Sequence, residues 1–369
     1  MKVVIVAGAR PNFMKVAPLI RAIETRNQNC CTSGSKIQYT LVHTGQHYDV
    51  QMSKVFFNDL GLPLPHFNLE VGSASHAVQT ANIMVTFEKV CLDVAPDWVI
   101  VVGDVNSTMA CTLVAAKMGI RVGHVEAGLR SFDRTMPEEI NRIVTDALAD
   151  LLFTPSEDAN ENLLREGVAS DKIKLVGNIM IDSLMSSLIK AQERKAYKCF
   201  GLECSKYALV TIHRPANTDN STRLVRIMEI LAEVSEEVPI IFPVHPRTRT
   251  QLDCLAGEGC YVPSERMKIV EPLGYLDFIS VLESCLFALT DSGGLQEETT
   301  FMGIPCLTLR ENTERPVTIR QGTNKLTSLE RLRDDVNNVF REKKTYGSIP
   351  EFWDGLTASR IVDILAQAG

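Results

Sequence analysis

Acidic and imidazole side chains recur along this 369-residue sequence directly after short apolar runs. Asp104 and Glu126 follow two such runs, His213 and His245 follow two later ones, and Glu138 opens a stretch with helical spacing. Carboxylates and imidazoles are among the groups that most often transfer protons in enzymes. These residue types therefore indicate acid–base chemistry on a bound ligand.

Glu126 stands directly behind the apolar run 122–125, where a solvated side chain is poorly accommodated. A buried charge without compensation costs roughly several kcal/mol. We therefore predict that Glu126 has either a charged partner or a role in proton transfer.

Two turns have the features of anion-binding sites. Arg10 and Lys15 flank the turn after the first apolar run, at the start of a helical segment. The turn 291–294 reads Asp-Ser-Gly-Gly and also opens a helical segment, so backbone N–H groups and the helix dipole would face a ligand there. Together the two turns predict binding of a phosphorylated molecule.

Several common catalytic signatures are absent from the sequence. The first turn does not read Gly-x-Gly-x-x-Gly, and the chain has no P-loop and no Gly-x-Ser-x-Gly. The ten cysteines show neither Cys-x-x-Cys nor a zinc-binding spacing with histidine. We therefore expect no metal ion, no other cofactor, and the reduced thiols of a cytoplasmic protein.

Eleven apolar, β-branched runs alternate with segments of helical spacing along the chain. The runs are 2–7, 37–43, 97–102, 121–125, 151–153, 173–176, 207–212, 238–244, 267–270, 286–290 and 305–309. Such runs between helices are typical of parallel sheets covered on both faces. Eleven strands exceed one ordinary open sheet. We predict an α/β fold of two Rossmann-like domains whose parallel sheets face each other across a ligand-binding cleft.

The least regular part of the chain is 191–206, which is rich in Lys, Glu and Gln. We place the domain break between about 178 and 206, after the helix that starts near Ile179. The prediction is an N-terminal domain 1–178 that carries the carboxylates and a linker helix with an irregular segment over 179–206. A C-terminal ligand-binding domain 207–355 follows, and a final helix 356–369 packs back across the cleft.

Charge and hydropathy restrict the partners. The formal net charge is −7, which disfavours a nucleic-acid partner. No apolar run approaches the ~18 residues that a membrane-spanning helix requires. We expect a small anionic ligand held by local arginines, with neither nucleic acid nor membrane as a partner.

The sequence resembles the non-hydrolysing UDP-N-acetylglucosamine 2-epimerases in motifs that follow one another over almost the whole chain. They lie at 8–11 with Lys15, at 103–104, 124–130, 137–142, 213–214, 290–298 and 313–316. The stretches His-Val-Glu-Ala-Gly-Leu-Arg at 124–130 and Asp-Ser-Gly-Gly-Leu-Gln-Glu-Glu at 291–298 are the most specific. The resemblance implies two Rossmann-like domains in the arrangement of GT-B glycosyltransferases, no metal or nicotinamide, and a homodimer.

The resemblance also implies a reaction. UDP-GlcNAc and UDP-ManNAc would be interconverted at C2 by anti elimination of UDP, through a 2-acetamidoglucal, to feed cell-surface polysaccharide synthesis. The implied acid–base residues are Asp104, Glu126 and Glu138, and the implied stabilisers of departing UDP are His213, Arg10 and Lys15. The remaining implied binding residues are Ser292, Gly293 and Gly294 for phosphate, Glu298 for ribose, Phe278 and Leu273 for uracil, Arg315 for phosphate or sugar, and His245 for the substrate.

Other functions remain open at the level of sequence. Many relatives read His-Arg-Arg-Glu and Thr-Glu-Arg-Pro-Glu where this sequence has His-Arg-Pro-Ala at 213–216 and Thr-Glu-Arg-Pro-Val at 313–317. The missing carboxylates make a 2-epimerase of UDP-2,3-diacetamido-2,3-dideoxy-glucuronate the nearest alternative. A GT-B glycosyltransferase would share the nucleotide-binding half without needing three carboxylates in the other half. A catalytically silent nucleotide-sugar binding protein would have no need to combine those carboxylates with His213.

Overall fold

The computed structural model describes residues 1–29, 36–45, 61–262, 264–341 and 347–368 of the chain. It divides into two compact units. The first comprises Met1–Met185 together with Glu351–Gly369, and the second comprises Ser186–Pro350. Each unit is built on its own sheet.

The first unit contains a seven-stranded parallel sheet in the order β3-β2-β1-β4-β5-β6-β7. The strands are β1 Lys2–Ala7, β2 Gln38–His43, β3 Phe67–Asn68, β4 Trp98–Val102, β5 Arg121–Val125, β6 Leu151–Thr154 and β7 Ile173–Leu175. The central strand β4 is buried at every position, as its all-apolar sequence requires when helices cover both faces.

Helices surround this sheet. They are α1 Arg10–Asn29, α2 His76–Val94, α3 Asn106–Lys117, α4 Pro137–Leu148, α5 Glu157–Arg165 and, near the C-terminus, α14 Thr357–Ala368. Helix α6 Ile179–Arg194 begins in this unit and ends in the second. Pro137 suits the first turn of α4 because its missing N–H has no helical partner there. The sheet core includes Val4, Val99 and Val101, which are all fully buried.

The second unit contains a six-stranded parallel sheet in the order β10-β9-β8-β11-β12-β13. The strands are β8 Ala208–Thr211, β9 Ile240–Pro243, β10 Met267–Val270, β11 Phe287–Thr290, β12 Cys306–Leu309 and β13 Asn324–Thr327. The helices are α7 Pro215–Thr218, α8 Ser221–Glu237, α9 Pro246–Gly257, α10 Tyr275–Glu283, α11 Gly293–Met302, α12 Val317–Arg320 and α13 Leu332–Arg341. The two parallel sheets confirm the predicted α/β class.

Sequence reasoning missed two strands, both at sheet edges. β3 has only two residues, and β13 reads Asn-Lys-Leu-Thr with a mixed burial pattern. An edge strand is paired on one side only and needs no continuous apolar run. The apolar periodicity that identified the central strands is therefore absent from these two.

The C-terminal helix α14 belongs to the first unit and packs against α1. Its first N–H groups, at Thr357 and Ala358, donate to the buried carboxylate of Asp182 on α6 at 3.2 and 2.8 Å. The segment before it is fixed by Trp353, whose indole N–H donates to Pro155 O at 3.0 Å. The last helix is thus integrated into the sheet domain of the first unit.

Two further observations concern the described residues as a set. None of their helices is long and apolar enough to cross a membrane. The eight cysteines among them are free thiols, and Cys91, Cys111, Cys285 and Cys306 are buried.

Candidate active site

Each sheet has one position where the strand order reverses direction. In the first unit β1 lies beside β4, and in the second β8 lies beside β11. In open α/β sheets ligands bind beyond the carboxyl ends of the strands at such a position. The acid–base candidates and the proposed phosphate turn follow these strands or their neighbours, so both units place them at the expected edge.

The first unit pairs Glu126 with Lys15. Glu126 directly follows β5 and has a positive φ of 76°, and its Oε2 forms an ion pair with Lys15 Nζ from α1. Both side chains are buried. Of the two options predicted for Glu126, a charged partner or a role in proton transfer, the structure shows the partner, Lys15.

Gly103 allows this ion pair to lie against the turn after β4. Its φ is +69°, and a Cβ at this position would lie 2.9 Å from Lys15 Nζ. Asn12 joins the neighbouring turn, because its Nδ2 donates to Val102 O at 3.1 Å while its Oδ1 accepts from Ala9 N at 2.8 Å. Buried hydrogen bonds thus fix the β1 and β4 turns together.

Asp104, the next residue, is held by a different cation. Arg142 Nη1 donates to Asp104 Oδ2 at 2.5 Å, and Asn141 Nδ2 donates to Asp104 O at 2.9 Å. The Asp104 side chain is 30% exposed, whereas that of Arg142 is 2% exposed. Arg142 and Asn141 of α4 therefore hold Asp104 in place, and its partly exposed carboxylate remains accessible to a ligand.

Glu138 and Glu139 are adjacent in the first turn of α4 and have different environments. Glu139 is buried and accepts from Ser131 N, Phe132 N and Arg142. Burial alone would raise its pKa, but these donors outweigh burial and lower the pKa of Glu139. Glu138 is exposed and lies one helical turn before Arg142, the residue that holds Asp104.

A buried network underlies both carboxylate turns. His124 on β5 contacts Gly103 O through Nε2 at 2.8 Å and Asp146 Oδ1 through Nδ1 at 2.6 Å. Asp146 Oδ2 accepts from Gly128 N at 3.0 Å and from Arg130 Nη1 at 2.7 Å. Desolvation opposes ionisation of Asp146, but His124 and Arg130 together lower its pKa. The network connects the segments on either side of Glu126 to the turn before Asp104.

In the second unit, His213 lies close to Asp291. His213 comes two residues after β8, Asp291 directly follows β11, and the two strands pair with Thr211 opposite Thr290. His213 Nδ1 lies 3.1 Å from Asp291 Oδ1. The histidine side chain is 54% exposed and the carboxylate is fully buried, so Asp291 supports the imidazole from inside the protein.

The turn after Asp291 leads into α11. Ser292 is the N-cap residue without a capping side-chain hydrogen bond, and Gly293 and Gly294 are the first two helical residues. A Cβ on Gly294 would meet nothing within 4 Å, so the surface there is open to a ligand. A Cβ on Gly293 would instead lie 2.5 Å from Arg315 Nη1. Only glycine therefore fits between this helix start and Arg315.

Arg315 is buried beneath that helix start. Its Nε lies 2.7 Å from Glu297 Oε1, and its Nη1 pairs with Glu314 Oε1. Arg310 pairs with the other oxygen of Glu314 at 2.8 Å. Arg315 thus forms ion pairs with two carboxylates of its own unit.

Glu298 is a buried carboxyl group in α11. The Tyr275 hydroxyl donates to its Oε1 at 3.4 Å. Burial, and secondarily the adjacent charge of Glu297, raise the pKa of Glu298 to about 8. This carboxyl group can therefore change its charge near neutral pH.

The other residues singled out by sequence lie at turns or helix starts. Leu273 and Phe278 are half-buried on either side of the start of α10, and His245 is exposed just after β9. Arg10 begins α1, but its side chain lies outside what the structure describes.

A family model described as UDP-N-acetylglucosamine 2-epimerase matches residues 29–366. The chain belongs to this family. The UDP-N-acetylglucosamine 2-epimerase of Methanocaldococcus jannaschii is 42% identical over 372 residues, which cover 99% of each chain. The UDP-2,3-diacetamido-2,3-dideoxy-D-glucuronate 2-epimerase of Pseudomonas aeruginosa is 37% identical over 378 residues and is covered completely, as is this chain.

Solved structures of the family share the fold. The M. jannaschii enzyme in complex with UDP-GlcNAc and UDP has a TM-score of 0.89 at 42% identity, with 100% of both chains covered. The Neisseria meningitidis enzyme bound to UDP-GlcNAc has a TM-score of 0.87 at 30% identity, again with full coverage. The family resemblance inferred from the motifs is confirmed, and the family is one of isomerases.

Sequence reasoning had not assigned roles to three residues that organise the site. Arg142 holds Asp104, Tyr275 contacts Glu298, and Asp291 contacts His213. Arg142 and Asp291 lie inside the quoted motifs, where they could have been identified as partners for the nearby charges. Tyr275 had no such signal, because only the tertiary structure brings its hydroxyl to Glu298.

Proposed function

We propose that this protein reversibly interconverts UDP-N-acetylglucosamine and UDP-N-acetylmannosamine. The observation that carries the proposal is the pair of ion-paired carboxylates, Glu126 with Lys15 and Asp104 with Arg142, at neighbouring strand ends of one unit. The second unit contributes an open helix N-terminus beside His213, which is a suitable site for a diphosphate. A nucleotide sugar supplies both the diphosphate and a carbon acid.

In the proposed reaction a carboxylate removes the proton on C2 of the sugar. The C–H electron pair forms a C1=C2 double bond while the C1–O bond to UDP breaks on the opposite face, which gives 2-acetamidoglucal and UDP. UDP then adds back to C1, and a proton is delivered to the other face of C2. Asp104, Glu126 and Glu138 are the proposed acid–base groups.

The remaining residues bind UDP and stabilise it as it departs. His213, Arg10 and Lys15 are proposed to stabilise its developing charge. The helix start at Ser292, Gly293 and Gly294 would hold phosphate, and Glu298 would accept from the ribose hydroxyls. Phe278 would flank uracil, backbone near Leu273 would read its edge, and His245 and Arg315 would complete the contacts to phosphate or sugar.

The deciding experiment is an NMR time course of the purified protein with UDP-GlcNAc in D₂O, without added metal, nicotinamide or acceptor. We expect UDP-ManNAc to form with deuterium at C2 only, because C2 is the only carbon that is deprotonated. Glu161→Gln, at an exposed position on α5, is the matched control and should exchange normally. Retained protium at C2 of the product contradicts the elimination, and release of free sugar with UDP indicates a hydrolase instead.

The P. aeruginosa relative supports a second candidate substrate, UDP-2,3-diacetamido-2,3-dideoxy-glucuronate. The same elimination chemistry would apply, since the C2 proton and the UDP leaving group are retained. Parallel assays compare kcat/KM for the two UDP-sugars. A higher value for the glucuronate would replace UDP-GlcNAc as the substrate while leaving the mechanism intact.

We further propose a homodimer that supplies N-acetylmannosamine units for cell-surface polysaccharide. An exposed apolar stripe on α2 supports the dimer: Val78, Val85 and Leu92 are 51%, 60% and 67% exposed and recur every seven residues. The stripe is symmetric about Val85, so two copies related by a two-fold axis would bury it against itself. An apolar groove of about 530 Å³ between α2, α3 and α4 adjoins it.

A further inference from the structure

The buried carboxylate of Asp291 lies directly beneath His213. Asp291 follows β11 at the point where this strand pairs with β8, and its backbone N–H donates to Thr211 O at 3.2 Å. This places the acidic side chain at the reversal of strand order in the second sheet, facing the turn that carries the histidine. The carboxylate itself is fully buried.

Asp291 accepts hydrogen bonds from several donors of that turn. His213 N lies 3.1 Å from each carboxylate oxygen, and Arg214 N and Asn217 Nδ2 lie 2.9 and 3.0 Å from Oδ2. Burial alone would raise the pKa of Asp291, but His213 and these donors outweigh it and lower the pKa. Asp291 therefore presents a fixed negative charge to the imidazole.

The contact between the two side chains orients the imidazole ring. A carboxylate only accepts, so His213 Nδ1, 3.1 Å away, must carry the proton and donate it. Nε2 lies on the opposite edge of a side chain that is 54% exposed. In this orientation Nδ1 donates to Asp291, and Nε2 is available to a ligand.

We propose that Asp291 is a positioning residue for epimerisation that acts through His213. It fixes the Nδ1–H form of the ring and directs Nε2 toward the diphosphate, so that a proton carried on Nε2 can be donated as the C1–O bond breaks. This inference rests on the proposed function, in which His213 stabilises departing UDP. The Asp291–His213 pair would act like other catalytic histidines that are oriented by a buried carboxylate.

A double-mutant cycle of Asp291 and His213 distinguishes the proposed positioning role of Asp291 from a purely structural role. We expect Asp291→Asn to lower kcat by at least about tenfold with a smaller change in KM, because the interaction strengthens in the transition state. In the His213→Asn background the same change should lower kcat by less than about threefold, because its intermediary is gone. Equal losses in both backgrounds would show that Asp291 only holds the turn, and would overturn the proposal.

Asn217→Ser is the matched control for this cycle. It removes a different donor of the same carboxylate and leaves the contact between Asp291 and His213 in place. We expect its kcat to stay within about threefold of the unmodified protein. A loss as large as that of Asp291→Asn would assign the effect to the turn and count against the proposal.

A second measurement needs neither activity nor a folded Asp291 variant. Selective ¹⁵N-histidine labelling of the full chain, with His213→Asn used to assign the signal, reports which ring nitrogen carries the proton. We expect the neutral ring of His213 to be protonated at Nδ1. Protonation at Nε2 would overturn the proposal even in an active epimerase, whereas Nδ1 protonation in a protein without epimerase activity would refute only the proposed function.

Discussion

At the level of single residues, Glu126 and Asp104 are each held in place by a cation from a helix. The ion pair with Lys15 is buried, and that of Asp104 with Arg142 is open on the carboxylate side. We expect Glu126→Gln and Asp104→Asn each to lower kcat by about 10² or more, as is typical for acid–base groups. Initial-rate NMR assays with UDP-GlcNAc provide the measurement. Near-normal turnover of Glu126→Gln would remove it from the catalytic set.

Glu298 connects nucleotide affinity to pH. Burial and the neighbouring Glu297 raise the pKa of Glu298 to about 8, and only the ionised form accepts hydrogen bonds from both ribose hydroxyls. The affinity for UDP should therefore rise with pH through this value, and the Kd should be about eightfold higher at pH 7 than at pH 8.5, below the pH at which uracil itself ionises. Calorimetric titrations with UDP between these pH values measure the Kd. For Glu298→Gln we expect a Kd that does not change over this pH range. A Kd of the unmodified protein that is independent of pH would show that ionisation of Glu298 does not affect UDP binding.

The same group affects stability, and its direction follows from linkage. The folded pKa of Glu298 lies above the value of 4.5 for an unperturbed glutamate, so between these values the folded state holds a proton that the unfolded state releases. The free energy of unfolding should therefore fall as pH rises from about 4.5 to about 8. Glu298→Gln should remove this part of the slope in urea titrations.

At the level of elements, Gly177 permits the approach of the C-terminal segment to the first unit. Its φ is +94°, and a Cβ there would lie 2.0 Å from Phe352 O. Gly167 has a similar φ of +85° with nothing within 4 Å, which makes it a matched control. Gly167→Ala should lower the free energy of unfolding by about 1 kcal/mol. Gly177→Ala should lower it by a further 1–3 kcal/mol, roughly the effect of overpacking.

Urea denaturation of the two glycine variants measures this difference. An equal decrease in the free energy of unfolding of both variants would mean that only the positive φ destabilises them. The segment before α14 would then move to accommodate the added methyl group. A larger loss for Gly177→Ala would place the contact with Phe352 among those that hold the last helix on its unit.

At the level of the whole molecule, the apolar stripe on α2 predicts the state of association. Val85→Lys places a charge at the centre of the proposed two-fold contact and should convert a dimer into a 40.9 kDa monomer. Ile189→Lys is the control, since Ile189 on α6 is 70% exposed and lies outside the stripe. Light scattering after size-exclusion chromatography gives the masses. A dimeric Val85→Lys variant would place the interface elsewhere.

Sequence alone determined the class of the fold and the chemical character of the site. Buried parallel strands need nearly continuous apolar runs, and those runs fixed the alternation of strands and helices as well as the polar residues that end each strand. Even the need of Glu126 for a partner followed from the cost of burying a charge. The family motifs then identified the family of isomerases to which the chain belongs.

The tertiary structure decided which side chains meet. Lys15 lies on Glu126, Arg142 on Asp104, and Asp291 beneath His213, although each pair is far apart along the chain. These pairings depend on which strands are neighbours in a sheet, and on glycines such as Gly103 that let turns approach. Local periodicity carries no information about strand order, since it reports only which face of an element is buried. Strand order is set by long-range packing and brings the charged partners together.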